Sequence, residues 1–343
     1  MTNYRDLTRS ELESLAEGFD LPPYRARQLF HAIWKRDFED IFRITSLPKD
    51  LREILSSRGT AHLPDVVREL KSSDGTIKLV LALADGLHIE TVLIPERDHM
   101  TICVSTQVGC AMGCAFCHTA RMGFKRNLSP GEIASQTLVA MKYARLEEKP
   151  RNIVFMGMGE PLANLENLIA AIKILTDRIG LDYSPRRITV STCGLVPELL
   201  RMGAEIEVGL AVSLHAADND TRGRLMPVNR RYPLQELIGA LRAYPLAPRR
   251  RITFEYLLLA EVNDRPEDAR RLIRLLRGIP SKINLIPFNP SDGIPYEEPQ
   301  AERILAFQKI LTEAHYTAII RKSKGRDIAA ACGQLFQGRQ TAV

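Results

Sequence analysis

No apolar run in this 343-residue chain approaches the roughly 20 residues that a membrane-crossing helix needs, which excludes a helical membrane protein. The opening Met1-Thr-Asn-Tyr-Arg-Asp6 holds no apolar segment, so a secretory signal is not expected there. There is no internal repeat and no low-complexity tract, which removes solenoids and biased linkers from consideration. Cysteine is scarce: only Cys103, Cys110, Cys114, Cys117, Cys193 and Cys332 occur. With nothing else pointing to secretion, a reducing, cytoplasmic setting is expected rather than a disulfide framework. An acidic excess is also missing. The net charge is +6, which suits a polyanionic partner without demanding one. What remains, 45% hydrophobic and 26% charged residues, is ordinary for a soluble globular protein of one large domain, or one with a small companion.

Three of the few cysteines are packed into Cys110-Ala-Met-Gly-Cys114-Ala-Phe-Cys117-His118, a C-x3-C-x2-C spacing in a glycine-containing turn. The β-branched run Met100-Thr-Ile-Cys-Val-Ser-Thr-Gln107 before it predicts a strand, and a strand feeding a tight loop can aim three thiolates at one spot. Three thiolates suit a four-iron cluster that leaves one iron open. A structural zinc site wants a fourth protein ligand. His118 is a candidate, although a tetrahedral chelate between adjacent side chains is hard to close. The spacing, with Phe116 ahead of the last cysteine, resembles that of the radical S-adenosylmethionine (SAM) superfamily. There the open iron is chelated by the amino and carboxylate groups of SAM.

The first sixty residues read as helical and basic. Thr8-Arg-Ser-Glu11 is a capping box, Leu21-Pro-Pro23 interrupts, Tyr24 to Arg36 resumes helical periodicity, and Pro48 starts a third helix. Residues 64 to 107 read as a β-meander with Asp74-Gly75 and Asp85-Gly86 as hairpin turns. From Ser129-Pro-Gly-Glu132, a second capping box, strands and helices alternate. Strands are expected at 152–156, 187–191, 207–214, 251–259, 282–286 and 317–321. Helices are expected at 165–176, near 197–202, and at 234–243, 266–276 and 302–314. Such βα units imply a parallel sheet covered by helices, here an open, partial barrel of about six units, with functional residues at the C-terminal strand ends.

Several polar groups fall at those ends. Phe155-Met-Gly-Met-Gly159-Glu160-Pro follows one strand; its glycines let a ligand approach the backbone, and Glu160 can accept from an amino group. Ser191 ends the next strand, Ser213-Leu214-His215 the one after, and Asn289 follows another. Cys332 lies in what reads as a small-residue helix after the basic loop Arg321-Lys-Ser-Lys-Gly-Arg326, where cationic surroundings would lower a thiol pKa. The bland alternative for Cys332, Cys103 and Cys193 is a buried, inert thiol; for Cys193 that reading is kept.

Taken together, these segments resemble the RlmN/Cfr family of radical SAM RNA methyltransferases over nearly the full length. The resemblance rests on Cys103-Val-Ser-Thr-Gln-Val-Gly-Cys110, Phe155-Met-Gly-Met-Gly-Glu-Pro-Leu162, Ser213-Leu-His-Ala216, Ile283-Asn-Leu-Ile-Pro-Phe-Asn-Pro290 and Ala331-Cys-Gly-Gln-Leu335. Arg326 stands where some relatives carry an acidic residue. The implied fold is α/β: a partial (β/α)6 radical SAM barrel with a small helical N-terminal domain and a β-hairpin linker. The implied divisions are a helical N-terminal RNA-binding domain at 1–60, a β-meander linker at 61–99, a core barrel with a C-terminal catalytic-cysteine loop at 100–335, and a tail at 336–343.

The same resemblance implies roles. Cys110, Cys114 and Cys117 would hold a [4Fe–4S] cluster. Gly159, Glu160, Ser191, Ser213, Leu214, His215 and Asn289 would line the SAM site, the leucine through its backbone. Cys332 would carry a methyl group, Glu90 would be the proton-accepting base, and Cys103 would resolve the RNA adduct through a transient disulfide with Cys332. Adenine C2 is electron-poor and no nucleophile, which is why a radical is needed. Two SAM molecules would be consumed per turnover, one for methyl transfer to Cys332 and one for the radical. The implied product is 2-methyladenine at position 2503 of 23S rRNA and position 37 of tRNAs, made by a cytoplasmic monomer with an external electron donor. Arg126, Arg186, Arg187, Arg230, Arg231 and Arg249 to Arg251 are candidate phosphate contacts. The same motifs would serve methylation at C8 of the same adenine. A non-catalytic RNA-binding protein with a structural metal loop would instead hold zinc and cleave no SAM.

Overall fold

The computed structural model describes every residue except 20, 145–148 and 336–343, so the expected tail lies outside the described residues. Ten strands form one sheet. Seven of them run parallel, each beside its neighbour in sequence: Met100–Cys103, Asn152–Phe155, Ile188–Thr192, Gly209–Ser213, Ile252–Leu258, Ser281–Pro287 and Ala318–Ile320. Helices occupy the crossovers: Pro130–Tyr143, Leu165–Thr176, Val196–Glu205, Asn219–Leu225 with Leu234–Ala243, Pro266–Leu276 and Ala301–Glu313. This is an α/β fold, an open barrel of six crossover units, as the resemblance implies.

Local chemistry explains the elements. Ser129 accepts the Glu132 N–H while the Glu132 carboxylate accepts the Ser129 N–H, with Pro130 at the first helical position. Thr8 and Glu11 do the same for Arg9–Glu17. Pro48 is the cap of Lys49–Arg58 rather than its first residue, its backbone being extended. Along Ile188–Thr192 and Ser281–Pro287, fully buried residues alternate with half-buried ones. The half-buried Thr189, Ser191, Lys282 and Asn284 face the lumen, while the fully buried partners pack under helices. The polar side of this sheet is therefore the inside of the barrel.

The meander Asp65–Lys71, Ile77–Ala82 and His88–Pro95 links the N-terminal helices to the barrel and extends the sheet by three antiparallel strands. The sheet edges, Asp65–Lys71 and Ala318–Ile320, do not pair with each other. The segment 325–329 spans that opening: Ser72 Oγ donates to Asp327 at 2.6 Å, the Gly325 N–H to Asp74 at 3.0 Å, and Lys78 Nζ to the Ala329 carbonyl at 3.0 Å. The N-terminal helices dock through Asp6, which accepts the Ser129 hydroxyl and the Gly131 N–H. A Cβ on Gly131 would stand 2.6 Å from that carboxylate.

Two expectations fail at the C-terminus. Cys332 is not on a helix: only a 3-10 turn, Arg326–Ile328, forms, and the left-handed backbones of Gly325 and Ala329 on either side stop it from propagating. The basic loop also does not lower the Cys332 pKa, for reasons that lie in the site itself. The helix Asn219–Leu225, capped by Asp218, was not anticipated.

Candidate active site

Two adjoining cavities open from the barrel lumen, an inner one at the C-terminal ends of the parallel strands and an outer one that runs toward their N-terminal ends. The inner one, about 170 Å³, is lined by Cys110, Cys114, Cys117, Gly159, Glu160, Ser191, Ser213, His215 and Cys332, nine of the residues expected to act. The outer one, about 460 Å³, is lined by Cys103, Asn289 and Cys332, with Arg186, Arg187, Lys282, Arg321, Lys322 and Lys324 around it. Met156, Glu255, Ile286 and Cys332 line both and form the neck between them.

The cysteine loop is tied into the barrel from several sides. The Ala115 N–H donates to the Leu225 carbonyl at 2.9 Å, and the His118 N–H to the Gly333 carbonyl at 2.8 Å. Burial pushes the Cys110 thiol up to about 12, with Cys114 and Cys117 also raised, so binding a metal would displace their protons. His118 turns away to Ser291, its Nε2 lying 2.8 Å from the hydroxyl.

Glu160 is buried at the inner end. Its Oε2 accepts the Cys193 N–H at 2.8 Å and its Oε1 the Leu162 N–H at 3.1 Å. Burial raises its pKa while these N–H groups oppose the shift. Gly159 has φ +98°, and a Cβ there would meet Gln107 at 2.5 Å; Gly157 is similarly tight against Val104 and Ser105. His215, at φ +59°, packs edge-on against Phe116, and burial, then Arg222, lower its pKa to about 3. The imidazole is therefore neutral.

Cys332 is exposed to both cavities, yet its thiol is raised to about 11: withdrawal from bulk solvent acts first and the nearby Glu255 second, and Arg321 only partly offsets them. Cys103 is buried on its strand, its thiol raised by burial and then by Cys332, which places the two sulfurs in one electrostatic neighbourhood. Cys193 is buried and forms no disulfide; burial raises its thiol well above the ordinary range.

Two expected residues stand off the cavity walls. The Leu214 side chain is fully buried; its N–H donates to the Glu255 carbonyl and its carbonyl accepts from Arg222 Nε. Glu90 lies on the neighbouring antiparallel strand, 3.2 Å from Lys78 Nζ. Of the candidate phosphate contacts, Arg186 and Arg187 line the outer cavity. Arg126 is committed to Asp85 and Glu132, Arg250 lies near Glu207, and Arg251 bonds Thr317.

Sequence reading missed four supports. Glu255 at the neck is a lone acid inside Ile252-Thr-Phe-Glu-Tyr-Leu-Leu258, a signal that was available. Arg222 is fully buried and donates to the carbonyls of Cys193 and Leu214 and to Asn229; among the described residues no carboxylate pairs with it. Asn263 donates to the carbonyls of His215 and Leu257. Lys78, within a strand, gave no signal that separates it from a surface cation.

These residues fit a cluster and SAM. Three thiols and a carboxylate share one cavity, the two glycines bring the backbone close, and the buried Asn289 Oδ1 has no hydrogen-bond partner in the protein. Among the described residues no three His, Cys, Asp or Glu converge tightly enough for a single ion. A cube of four irons does not ask for that, since its ligands attach at separate corners.

Comparison with known proteins agrees. Residues 104–274 match the radical SAM superfamily, and residues 2–60 match the ribosomal RNA large subunit methyltransferase N-terminal domain. The chain is 52% identical over 338 residues to the dual-specificity RNA methyltransferase RlmN of Solidesulfovibrio magneticus, covering 98% of this chain and 96% of that protein. It is 49% identical over 346 residues to that of Desulfotalea psychrophila, covering 98% and 95%. The crystal structure of a radical SAM methyltransferase from Sphaerobacter thermophilus superposes with a TM-score of 0.91 at 47% identity, covering 96% of this chain and 98% of that one.

Proposed function

The chain belongs to the RlmN family of dual-specificity RNA methyltransferases, radical SAM enzymes that use a [4Fe–4S] cluster and SAM, and we propose on that footing how its residues divide the work. The reaction is formation of 2-methyladenine at position 2503 of 23S rRNA and at position 37 of tRNAs. The observation that carries this reading is the placement of Cys332 at the neck, open to the cysteine-lined cavity on one side and to the basic cavity on the other. A methyl carrier must face both the methyl source and the RNA base.

In this reading Cys110, Cys114 and Cys117 hold the cluster, and Gly159, Glu160, Ser191, Ser213, Leu214, His215 and Asn289 bind SAM. Bound there, the pair would supply an electron, a methyl group and a hydrogen-abstracting radical. Glu160 accepts a hydrogen bond from the ligand's amino group. Neutral His215 offers a donor without adding a charge beside a sulfonium. Cys332 takes the methyl group on its sulfur and later joins the target base through that carbon. Glu90 accepts the proton from adenine C2. Cys103, raised and protonated at rest, becomes the attacking thiol and closes a disulfide with Cys332 as product leaves; an external reductant restores both thiols. The adenine must be unstacked to reach the neck. Arg186, Arg187 and their neighbours meet the RNA backbone, with the 1–60 domain adding contacts. The enzyme is taken as a cytoplasmic monomer; among the described residues no helix is long and apolar enough to cross a membrane.

The test is an anaerobic assay of the reconstituted protein with reductant, SAM carrying a deuterated methyl group, and either a 23S rRNA fragment or tRNA. A 2-methyladenosine peak by mass spectrometry that retains two deuterium atoms from the donor methyl is expected. An 8-methyladenosine peak would move the activity to C8. Intact cluster and SAM cleavage with neither peak would end the RNA assignment.

A further inference from the structure

One cross-strand row of the sheet runs Lys78, Val92, Cys103, Val154, and all four residues therefore point to the same face. Glu90, two positions from Val92, points there too. That face is the one Cys103 and Val154 present to the outer cavity. Lys78 and Glu90 are both almost fully buried, and their charged atoms stand 3.2 Å apart. Lys78 Nζ also donates at 3.0 Å to the carbonyl of Ala329, three residues before Cys332. On the other side of Cys332, the Gly333 carbonyl accepts the His118 N–H at 2.8 Å. The thiol is thus slung between two carbonyl tethers, one to the strand pair that carries Glu90 and one to the cluster loop.

We propose that Lys78 is a positioning residue that holds the Glu90 carboxylate ionised and in fixed register with the Cys332 loop. This rests on the reading of Glu90 as proton acceptor and Cys332 as methyl carrier. The physical reason is the burial. A carboxylate withdrawn from water keeps its charge far more readily against a paired cation, and a protonated carboxyl is no base. A lysine is also costly to bury, and a strand position could take an apolar residue with less penalty, so the pair is better explained by placement than by stability. The second bond explains why the cation is long. An ammonium has three donors, and here one serves Glu90 while another fixes the backbone that carries the thiol. The loop needs such a tether, because its only helical turn ends at Ala329, a non-glycine residue at φ +50°.

The experiment uses the full-length, cluster-loaded enzyme and four variants: K78M, K78R, E90Q and the double K78M/E90Q. Methylation of Cys332 in the absence of RNA is read by intact mass, and RNA affinity by filter binding. Turnover and the RNA–protein adduct are read on denaturing gels. Loss of a general base slows a reaction by about 10²-fold or more, so K78M should lose that much turnover while adduct accumulates. Cys332 methylation and RNA affinity should stay within about twofold, since neither step uses the base and the Gly333 tether to His118 still holds the thiol beside the cluster loop. K78R should recover part of the rate, because it restores a cation against Glu90. K78M should cost far less in the E90Q background than in the wild type, because the part of its effect that acts through Glu90 is already lost there. Wild-type turnover by K78M, parallel loss of Cys332 methylation, or an equal cost of K78M in the wild-type and E90Q backgrounds would each overturn the proposal. If K78M does not fold, the double variant, which removes both charges of the pair, carries the comparison with E90Q. If E90Q itself turns over normally with no adduct, the base assignment falls, whatever Lys78 does.

Discussion

The backbone N–H of Leu257 donates to Nδ1 of His215 at 3.1 Å, which fixes the ring as the tautomer with its proton on Nε2. Burial holds this histidine near pKa 3, far below its ordinary value of 6.5. The unfolded chain binds a proton that the folded chain refuses whenever the pH lies between those two values. Stability is therefore full above pH 6.5 and is lost as pH falls toward 3. The slope is about 1.4 kcal/mol per pH unit, or about 2 kcal/mol between pH 6.5 and 5. Denaturant melts at both pH values should show that loss in the wild type and a smaller one in H215Q. Equal losses would mean that the ring protonates without resistance in the folded protein.

Gly159→Ala tests the backbone cradle. The position is left-handed, at φ +98°, and the new methyl would stand 2.5 Å from Cβ of Gln107. Gln107 Oε1 accepts the Glu160 N–H at 2.9 Å, so displacing it moves the carboxylate assigned to the SAM amino group. The substitution should leave circular dichroism and iron content near wild type and weaken SAM binding by about tenfold or more, the scale of one lost charged hydrogen bond. Equilibrium dialysis with labelled SAM decides it; unchanged affinity would remove Gly159 and Glu160 from the ligand site.

The sequence carried the scaffold further than it carried the loop at its mouth. The capping boxes at Thr8 and Ser129 were legible because donor and acceptor lie three residues apart. The sheet order was legible because each βα unit dictates its neighbour. The Cys332 segment was not. Its shape comes from Ser72, Asp74 and Lys78, about 250 positions away, and the run of small residues there reads as helix without them. The thiol pKa was misjudged for a related reason: cations close in sequence suggested a lowered value, while burial and Glu255, from another strand, dominate. Arg222 and Asn263 escaped notice because what they hold are main-chain carbonyls, which no side-chain pattern announces.

The three classes of cysteine should separate cleanly. C110A removes one of three thiols in the inner cavity and should lose the cluster's visible absorbance and most of its iron. C332A removes the thiol at the neck and should keep the cluster while forming no product. C103A leaves the neck intact but removes the neighbouring thiol on its strand, and should accumulate protein crosslinked to RNA. Absorbance, iron analysis and denaturing gels read the three outcomes. Normal turnover by C103A would end its resolving role, and product from C332A would end the methyl-carrier role.

Arg187 and Arg126 make opposite predictions, although both sit in basic stretches of sequence. Arg187 is exposed and lines the outer cavity together with Lys282, Arg321 and Lys324. Arg126 spends its guanidinium on Asp85 and, in a two-toothed contact at 2.7 and 2.8 Å, on Glu132. These partners hold its pKa above the ordinary arginine value. A cation already neutralised by two carboxylates releases no counterion from RNA, whereas a free one does. R187A should therefore weaken binding to either RNA and flatten the plot of log affinity against log salt by about 0.7–0.9. R126A should leave that slope alone and instead cost about 1 kcal/mol of stability, the upper range for a half-exposed ion pair. Filter binding at several salt concentrations, with thermal melts on the same preparations, separates them. An unchanged slope in R187A would move the RNA path away from this cavity mouth.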